Sequence, residues 1–404
     1  MAASFDRPRR RALRWLGGAL AAPACLQAAM AAASPVRVGM TAELRMTSST
    51  SDDAVRLGLE LAIEDLNAAG GVLGRPLLLE VRDDRSVPSR GVENLRELAA
   101  LPDLVGVFGS RFSPVLTEMG QVAPALQCPV FSPWAAGNTV LDPTRQPDWS
   151  FRVSLNDTWA METLLDAAAA DGCQRVGLML PNSGWGRSCH KVVEEYTARH
   201  RAIRVLPARW YNWGGETSLI DHVLNLRQAG AQALVLVANE PEGVLLMREM
   251  LSLPPPSRLP ILSHWGIAGG DFPRLVGPAL GELDLRVVQT AALQMARTPR
   301  GRRLQQRAAE RMGVADPQRV PSLVGLGHAY DAMLILHRAV ARAGTTRREA
   351  VRDALEHLDP VEGVVRRYAP AFTRERHEAL HASDVFLARW DAEGRLQRAP
   401  RHPT

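Results

Sequence analysis

Short apolar runs alternate with longer amphipathic segments over almost the whole chain, and this rhythm restricts the fold more than any other feature. Val36 to Met40 reads as a strand. The stretch from Asp53 to Ala68 then carries Val55, Leu57, Leu59, Leu61, Ile63 and Leu66 on a broad helical face, capped by Ser51 or Asp52. Strands at 77–81, 104–108 and 129–132 alternate with helices at 90–101 and 114–126. The grammar restarts at Phe151, with helices at 158–170, 185–200, 216–229 and 241–251 between strands at 175–180, 203–207, 233–237 and 260–263. A strand at 286–291, two helical segments at 322–343 and 347–358, and strands at 364–368 and 385–390 complete it. Strands that are apolar throughout and separated by helices imply parallel sheets covered on both faces. The expected class is α/β, with two doubly wound parallel-sheet lobes. Pro254-Pro255-Pro256 ends a helix and marks no domain boundary.

The first 33 residues stand apart. Residues 7–14 are densely cationic, 15–33 are apolar and rich in small side chains, and Ala31-Ala32-Ala33 closes the segment, the pattern of an export signal. Arg9-Arg10-Arg11-Ala12-Leu13-Arg14 resembles a twin-arginine signal, although Pro8 and Ala12 depart from it. Cys25 reads as lost with the signal and not as a lipidated cysteine, because Ala22 holds the place normally given to Leu. The formal charge of +5 owes much to this segment, and no later basic run is interleaved with aromatics, so no nucleic-acid partner is expected. Cys128, Cys173 and Cys189 are spaced too irregularly for a zinc motif, which leaves either a Cys173–Cys189 bridge or three thiols.

Catalytic signatures are missing from the sequence. There is no GxGxxG after the first strand, no GxxxxGK[ST], no GxSxG and no HExxH, and Cys189 and His190 point about 100° apart on their helix. We therefore expect no enzyme, no cofactor and no metal. Two α/β lobes do offer a crevice, where strand C-termini and helix N-termini converge. The strand at 104–108 runs into Ser110, Arg111, Phe112 and Ser113. Ser113 either caps the following helix only or also holds a ligand carboxylate with nearby N–H groups, and Arg111 is either a further donor or solvated. The strand at 129–132 runs into Trp134, Ala135, Ala136 and Gly137, where small residues admit a ligand to the backbone. In the second lobe Trp185, Asn239-Glu240 and Trp265 follow three strands in the same way. Trp134, Trp185 and Trp265 are candidate pocket walls, whereas Trp149, Trp159, Trp210, Trp213 and Trp390 are assigned to the edge of the core.

These residues give the chain a resemblance to the leucine/isoleucine/valine-binding family, the type I periplasmic substrate-binding proteins of ABC importers. Residues 58–84, "GLELAIEDLNAAGGVLGRPLLLEVRDD", carry its most specific part, and "GVFGSRFSP", "PVFSPWAAGN", "FRVSLND", "SGWG", "NEPEG" and "GHAYDAM" match later landmarks. The resemblance implies two lobes joined by a three-crossover hinge, with crossovers near Phe151, Glu282 and Pro360. The expected division is a signal peptide at 1–33, lobe 1 at 34–150 and 282–359, and lobe 2 at 151–281 and 360–404. By the same resemblance Ser113, or Ser110 beside it, binds a ligand carboxylate, and Trp185 stands where a Tyr often touches the ligand. Ser263-His264-Trp265-Gly266 lacks the family's acidic residue, leaving Glu240 for an ammonium group.

The implied function is that of an exported periplasmic binding protein, which traps a small amino acid, amide or carboxylate and delivers it, as a monomer, to the membrane permease of an ABC importer. Two alternatives stand beside it: a periplasmic sensor that presents its ligand to a signalling partner, and an aromatic cage of three Trp for a cationic or aromatic ligand.

Overall fold

The computed structural model describes residues 34–44, 50–142, 144–145, 147–290, 293, 296 and 298–400. The expected export signal and Cys25 lie outside them. Five strands form the first sheet, in the order β2-β1-β3-β4-β5: β1 Val36–Ala42, β2 Leu77–Asp83, β3 Leu104–Phe108, β4 Val130–Ser132 and β5 Ser150–Arg152. All pair in parallel, with Val36 opposite Leu77 and Val107 opposite Val130. Helices α1 Thr50–Ala68, α2 Pro88–Ala99 and α3 Ser113–Leu126 connect these strands. Val36, Val38 and Met40 are fully buried, as expected for a strand covered on both faces.

The second sheet is built from β6 Arg175–Pro181, β7 Arg204–Val205, β8 Arg209–Tyr211, β9 Ala233–Leu236, β10 Ile261–Ser263, β11 Leu285–Thr290, β14 Val385–Trp390 and β15 Leu396–Arg398. Its order is β15-β14-β11-β10-β9-β6-β7, with β8 also on β6, and only the β11–β14 and β14–β15 pairs are antiparallel. Around it lie α4 Asp157–Ala170, α5 Gly184–Arg199, α6 Ile220–Gln228, α7 Glu240–Ser252 and α8 Phe272–Val276. The fold is that of two doubly wound α/β lobes.

The expected crossover near Glu282 comes too early. β11 pairs with β10 through Ile261–Leu285 and Ser263–Val287, so the chain leaves the second lobe only after Thr290. It returns to the first lobe through α9 Pro299–Met312, α10 Leu323–Ala343 and α11 Arg348–Leu355. There α10 lies so close to α1 that a Cβ at Gly58 would sit 2.3 Å from the Leu326 carbonyl oxygen. The strand expected at 364–368 is instead a small antiparallel hairpin of β12 Val361–Glu362 and β13 Arg367–Tyr368. Its turn is held by the buried Asp331 of α10, which accepts from the N–H groups of Val364 (2.6 Å) and Val365 (3.0 Å).

An ion pair fastens the hinge. Arg152, at the end of β5, donates to both carboxylate oxygens of Glu378 at 2.9 and 2.6 Å, and its neighbouring backbone bridges to the same segment. Cys128, Cys173 and Cys189 are three thiols, without a Cys173–Cys189 bridge. Among the described residues no helix is long and apolar enough to cross a membrane.

Candidate functional site

The first-lobe wall is organised by Arg111. The loop after β3 carries this side chain under the first turn of α1, where Nε donates to Asp52 at 2.9 Å and the backbone N–H to the same carboxylate at 3.3 Å. A second guanidinium nitrogen pairs with Glu43, just beyond β1. Asp52 is therefore no cap, as α1 begins two residues before it, and its carboxylate is turned toward the loop. Burial pushes the Asp52 carboxyl up to about 6, although Arg111 pulls it down. Ser110 is buried beside the same carboxylate. Arg111 also lies over the Phe112 ring, 4.6 Å from its centroid. The solvated alternative for Arg111 is thus excluded, because its side chain is only 7% exposed.

Ser113 behaves differently from its expected role. The N-cap of α3 is Phe112, and Ser113 is the first helical residue. Its hydroxyl accepts from Gly137 N–H at 3.0 Å, tying the loop after β3 to the loop after β4. A Cβ on Gly137 would sit 2.7 Å from the Ser113 Cβ, so only glycine permits this approach. The carbonyls of that loop also have protein partners. Ala135 O accepts from Ser132 and Ser154, while Ala136 O and Gly137 O accept from Arg152 at 3.1 and 2.8 Å. Ala135, Ala136 and Gly137 therefore brace the hinge with groups that a ligand would otherwise use.

On the second lobe Trp185 opens α5. Its Nε1 donates to Asp157 at 3.0 Å, and its ring meets His264 edge-on at a centroid distance of 5.0 Å. His264 Nε2 lies 3.2 Å from the same Asp157 oxygen. Asp157, Cys189 and His264 bring donor atoms within 4.8 Å of one another and are all buried. They offer a metal the right atom types, yet burial and Asp157 raise the Cys189 thiol well above its usual range, and Asp157 already holds Trp185. The cluster acts as a clamp on the Trp185 ring. A second set, Asp353, Glu356 and His357, lies at the C-terminal end of α11.

Trp265 and Trp134 meet across the lobes, with ring centroids 5.3 Å apart. Both are buried, and a Cβ on Gly325 of α10 would overlap Trp134, so this pair seals the base of the crevice. Trp213, assigned from sequence to the core edge, packs edge-on against Phe112 of the other lobe at 5.1 Å and lies 6.3 Å from Trp185. Asn239 is the N-cap of α7, half-buried and without a side-chain cap bond. Glu240 begins that helix and packs on Gly270, where any Cβ would overlap its carboxylate. Burial lifts the Glu240 carboxyl to about 7, helped by the Asp271 charge and opposed by the Asp271 backbone N–H, Arg111 and Arg274. Glu242, one position inside the turn, is also raised by burial, and its Oε2 has no hydrogen-bond partner.

The expected residues thus fall into three groups. Ser110, Arg111 and Phe112 of the first lobe lie against Trp185 and Glu240 of the second, with Glu43, Asp52, Trp213 and Glu242 among them and Asn239 capping the helix that Glu240 begins. Trp134 and Trp265 form its floor. Ser113, Ala135, Ala136 and Gly137 are interlocked with one another and with the hinge. Beside the crevice a groove of about 850 Å³ runs between the lobes, lined by Ser113, Pro114, Gly184 and Ser188 and rimmed by Arg96, Arg187 and Lys191.

Comparison with known proteins follows the same outline. Residues 35–395 match the sequence profile of the family described as periplasmic binding protein. The chain belongs to that family. Its members are substrate-binding proteins of the periplasm and not enzymes. A Leu/Ile/Val-binding protein homolog of Brucella melitensis is 24% identical over 238 residues, which cover 57% of this chain and 59% of the relative. A type 1 periplasmic binding protein of Bordetella pertussis superposes with a TM-score of 0.79 at 22% identity, over 91% of this chain and all of the other (100%). The branched-chain amino acid transporter substrate-binding protein LivJ of Streptococcus pneumoniae, solved with isoleucine, gives 0.74 at 15% identity, over 90% of this chain and 98% of its own. At these identities the structural likeness concerns the fold alone.

Proposed function

We propose that this chain is the exported receptor of an ABC-type importer: it captures a small solute between its lobes, closes over it as a monomer and presents it to a membrane permease. The observation that carries this reading is the pairing of the two walls. Phe112 of one lobe meets Trp213 of the other, and Asn138 of the first lobe accepts from Thr158 N–H at 3.3 Å while its own N–H donates to Ser188 at 3.0 Å. A crevice walled by side chains from both lobes binds best when shut, so ligand energy is coupled to hinge closure. Ser110, Arg111, Phe112, Trp185, Asn239 and Glu240 belong to this solute crevice, with Trp134 and Trp265 beneath. Ser113, Ala135, Ala136 and Gly137 support it from behind.

The named relatives bind, or are named for binding, branched-chain amino acids. For this chain we hold only the broader class of small solutes: the Ser113 oxygen accepts from Gly137 N–H, and its O–H remains to donate to a ligand. Thermal unfolding of the purified protein against amino acids, amines, amides and carboxylates tests the proposal. A ligand of the native state must raise the midpoint, by an amount that grows with the logarithm of its concentration above Kd. Flat midpoints throughout would contradict it.

A further inference from the structure

The walls of the crevice are unequal in charge. Among the described residues, Glu43, Asp52, Glu240 and Glu242 surround a single guanidinium, that of Arg111, which is already held by Glu43 and Asp52 on its own side. Arg274, near Glu240, is 65% exposed and donates to Asp271 at 2.5 Å. The opposite wall therefore has carboxylates without a committed cation. Glu242 is only 9% exposed, beside Gly214 and Trp213, and its Oε2 is buried without a donor. A buried carboxylate oxygen in that state calls for a hydrogen-bonded cation. The surrounding side chains are aromatic: Trp213 stands edge-on to Phe112, whose ring already carries Arg111, and tilted beside Trp185, so aromatic walls enclose the carboxylates.

We propose that the solute is a small organic cation with N–H groups to donate, a protonated amine or guanidinium, held against Glu242 and Glu240 and walled by Phe112, Trp185 and Trp213; this rests on the reading of the crevice as a solute site. A carboxylate ligand would meet four carboxylates and one guanidinium that has no room for it. The lining of the neighbouring groove, with Arg96, Arg187 and Lys191 against Glu118, is net positive and disfavours an extended polyamine more than a compact monocation.

Calorimetric titration of the purified protein with n-butylamine, butylguanidine, choline, spermidine, leucine and butyrate tests this. The amine and the guanidine bind roughly tenfold or more tightly than choline, which lacks N–H groups, and than leucine, butyrate and spermidine. Glu242→Gln lowers affinity for the amine by about tenfold or more, whereas Glu118→Gln on the groove rim leaves it unchanged. Retention of the unfolding midpoint in Glu242→Gln verifies that the fold survives. Tighter binding of leucine or butyrate would overturn the cation while preserving the solute-binding reading. Amine affinity that is indifferent to Glu242→Gln, or matched by choline, would overturn the assignment of Glu242. Failure of all six probes would overturn the inference, and the wider solute panel then judges the binding reading by itself.

Discussion

The two walls of the crevice are built from the same kind of loop, at the ends of parallel strands, yet they are finished to different degrees. On the first lobe the charged groups are paired with one another: Arg111 with Asp52 and Glu43, and nearby Ser113 accepts from Gly137 and Thr41 donates to Asp84 at 2.9 Å. On the second lobe Glu240 and Glu242 are buried with little cationic company, and the Glu242 Oε2 has no donor. The first wall is preorganised. The second carries the desolvation of two carboxylates, which the proposed cation would offset on binding. Under that proposal the complete wall provides shape, and the incomplete one provides affinity and selectivity.

The comparison breaks most visibly at Arg111. Arg111→Ala leaves Asp52 and Glu43 buried without a cation and costs about 3–5 kcal/mol in urea unfolding, part of which returns when Asp52→Asn is added. A loss below about 1 kcal/mol would mean that the first wall is not held by this pair. Glu240 gives the opposite sign. Its folded carboxyl titrates near 7 and its unfolded one near the ordinary value, so folding favours the proton. The stability linked to that proton is fully present below the unfolded value and is lost as the pH rises through 7. Glu240→Gln thus stabilises the protein by about 1–2 kcal/mol at pH 8, with the gain vanishing toward pH 4.5, as read from unfolding midpoints across pH. The smallest effect is at Ser113. Ser113→Ala removes the acceptor for Gly137 N–H and costs about 1 kcal/mol, with solute affinity changed less than twofold. A larger loss of affinity at unchanged stability would return Ser113 to the ligand.

Most of the architecture was legible because it is periodic. The apolar run Leu104 to Phe108 is β3 to the residue, and the stripe from Val55 to Leu66 is the buried face of α1. The β11 boundary was misplaced because resemblance alone put a crossover before Arg286, whereas pairing with β10 depends on a neighbour 24 positions away. The site was legible only in part. Arg111 stood out at a strand end, but its partners Glu43 and Asp52 are 68 and 59 positions distant and no local pattern links them. Glu242, in the first turn of α7, is a place where an acidic side chain is ordinary, so nothing in the sequence sets it apart. Trp213 follows β8, a strand of three residues without an apolar run, so nothing in its surroundings distinguishes it from a core-edge Trp. Ser113 reads as a helix cap or as a partner for a ligand carboxylate; its oxygen accepts from Gly137 N–H, 24 positions away, which no local pattern indicates.

The central claim is that the lobes close on a solute. Spin labels at Arg96→Cys and Lys191→Cys, which line the interlobe groove from different lobes, report that motion as a distance distribution. The account predicts a broad distribution in the free protein that narrows and shortens when a bound member of the amine, amino-acid and carboxylate panel is added. One distribution, identical with and without a solute that calorimetry shows to be bound, would contradict it.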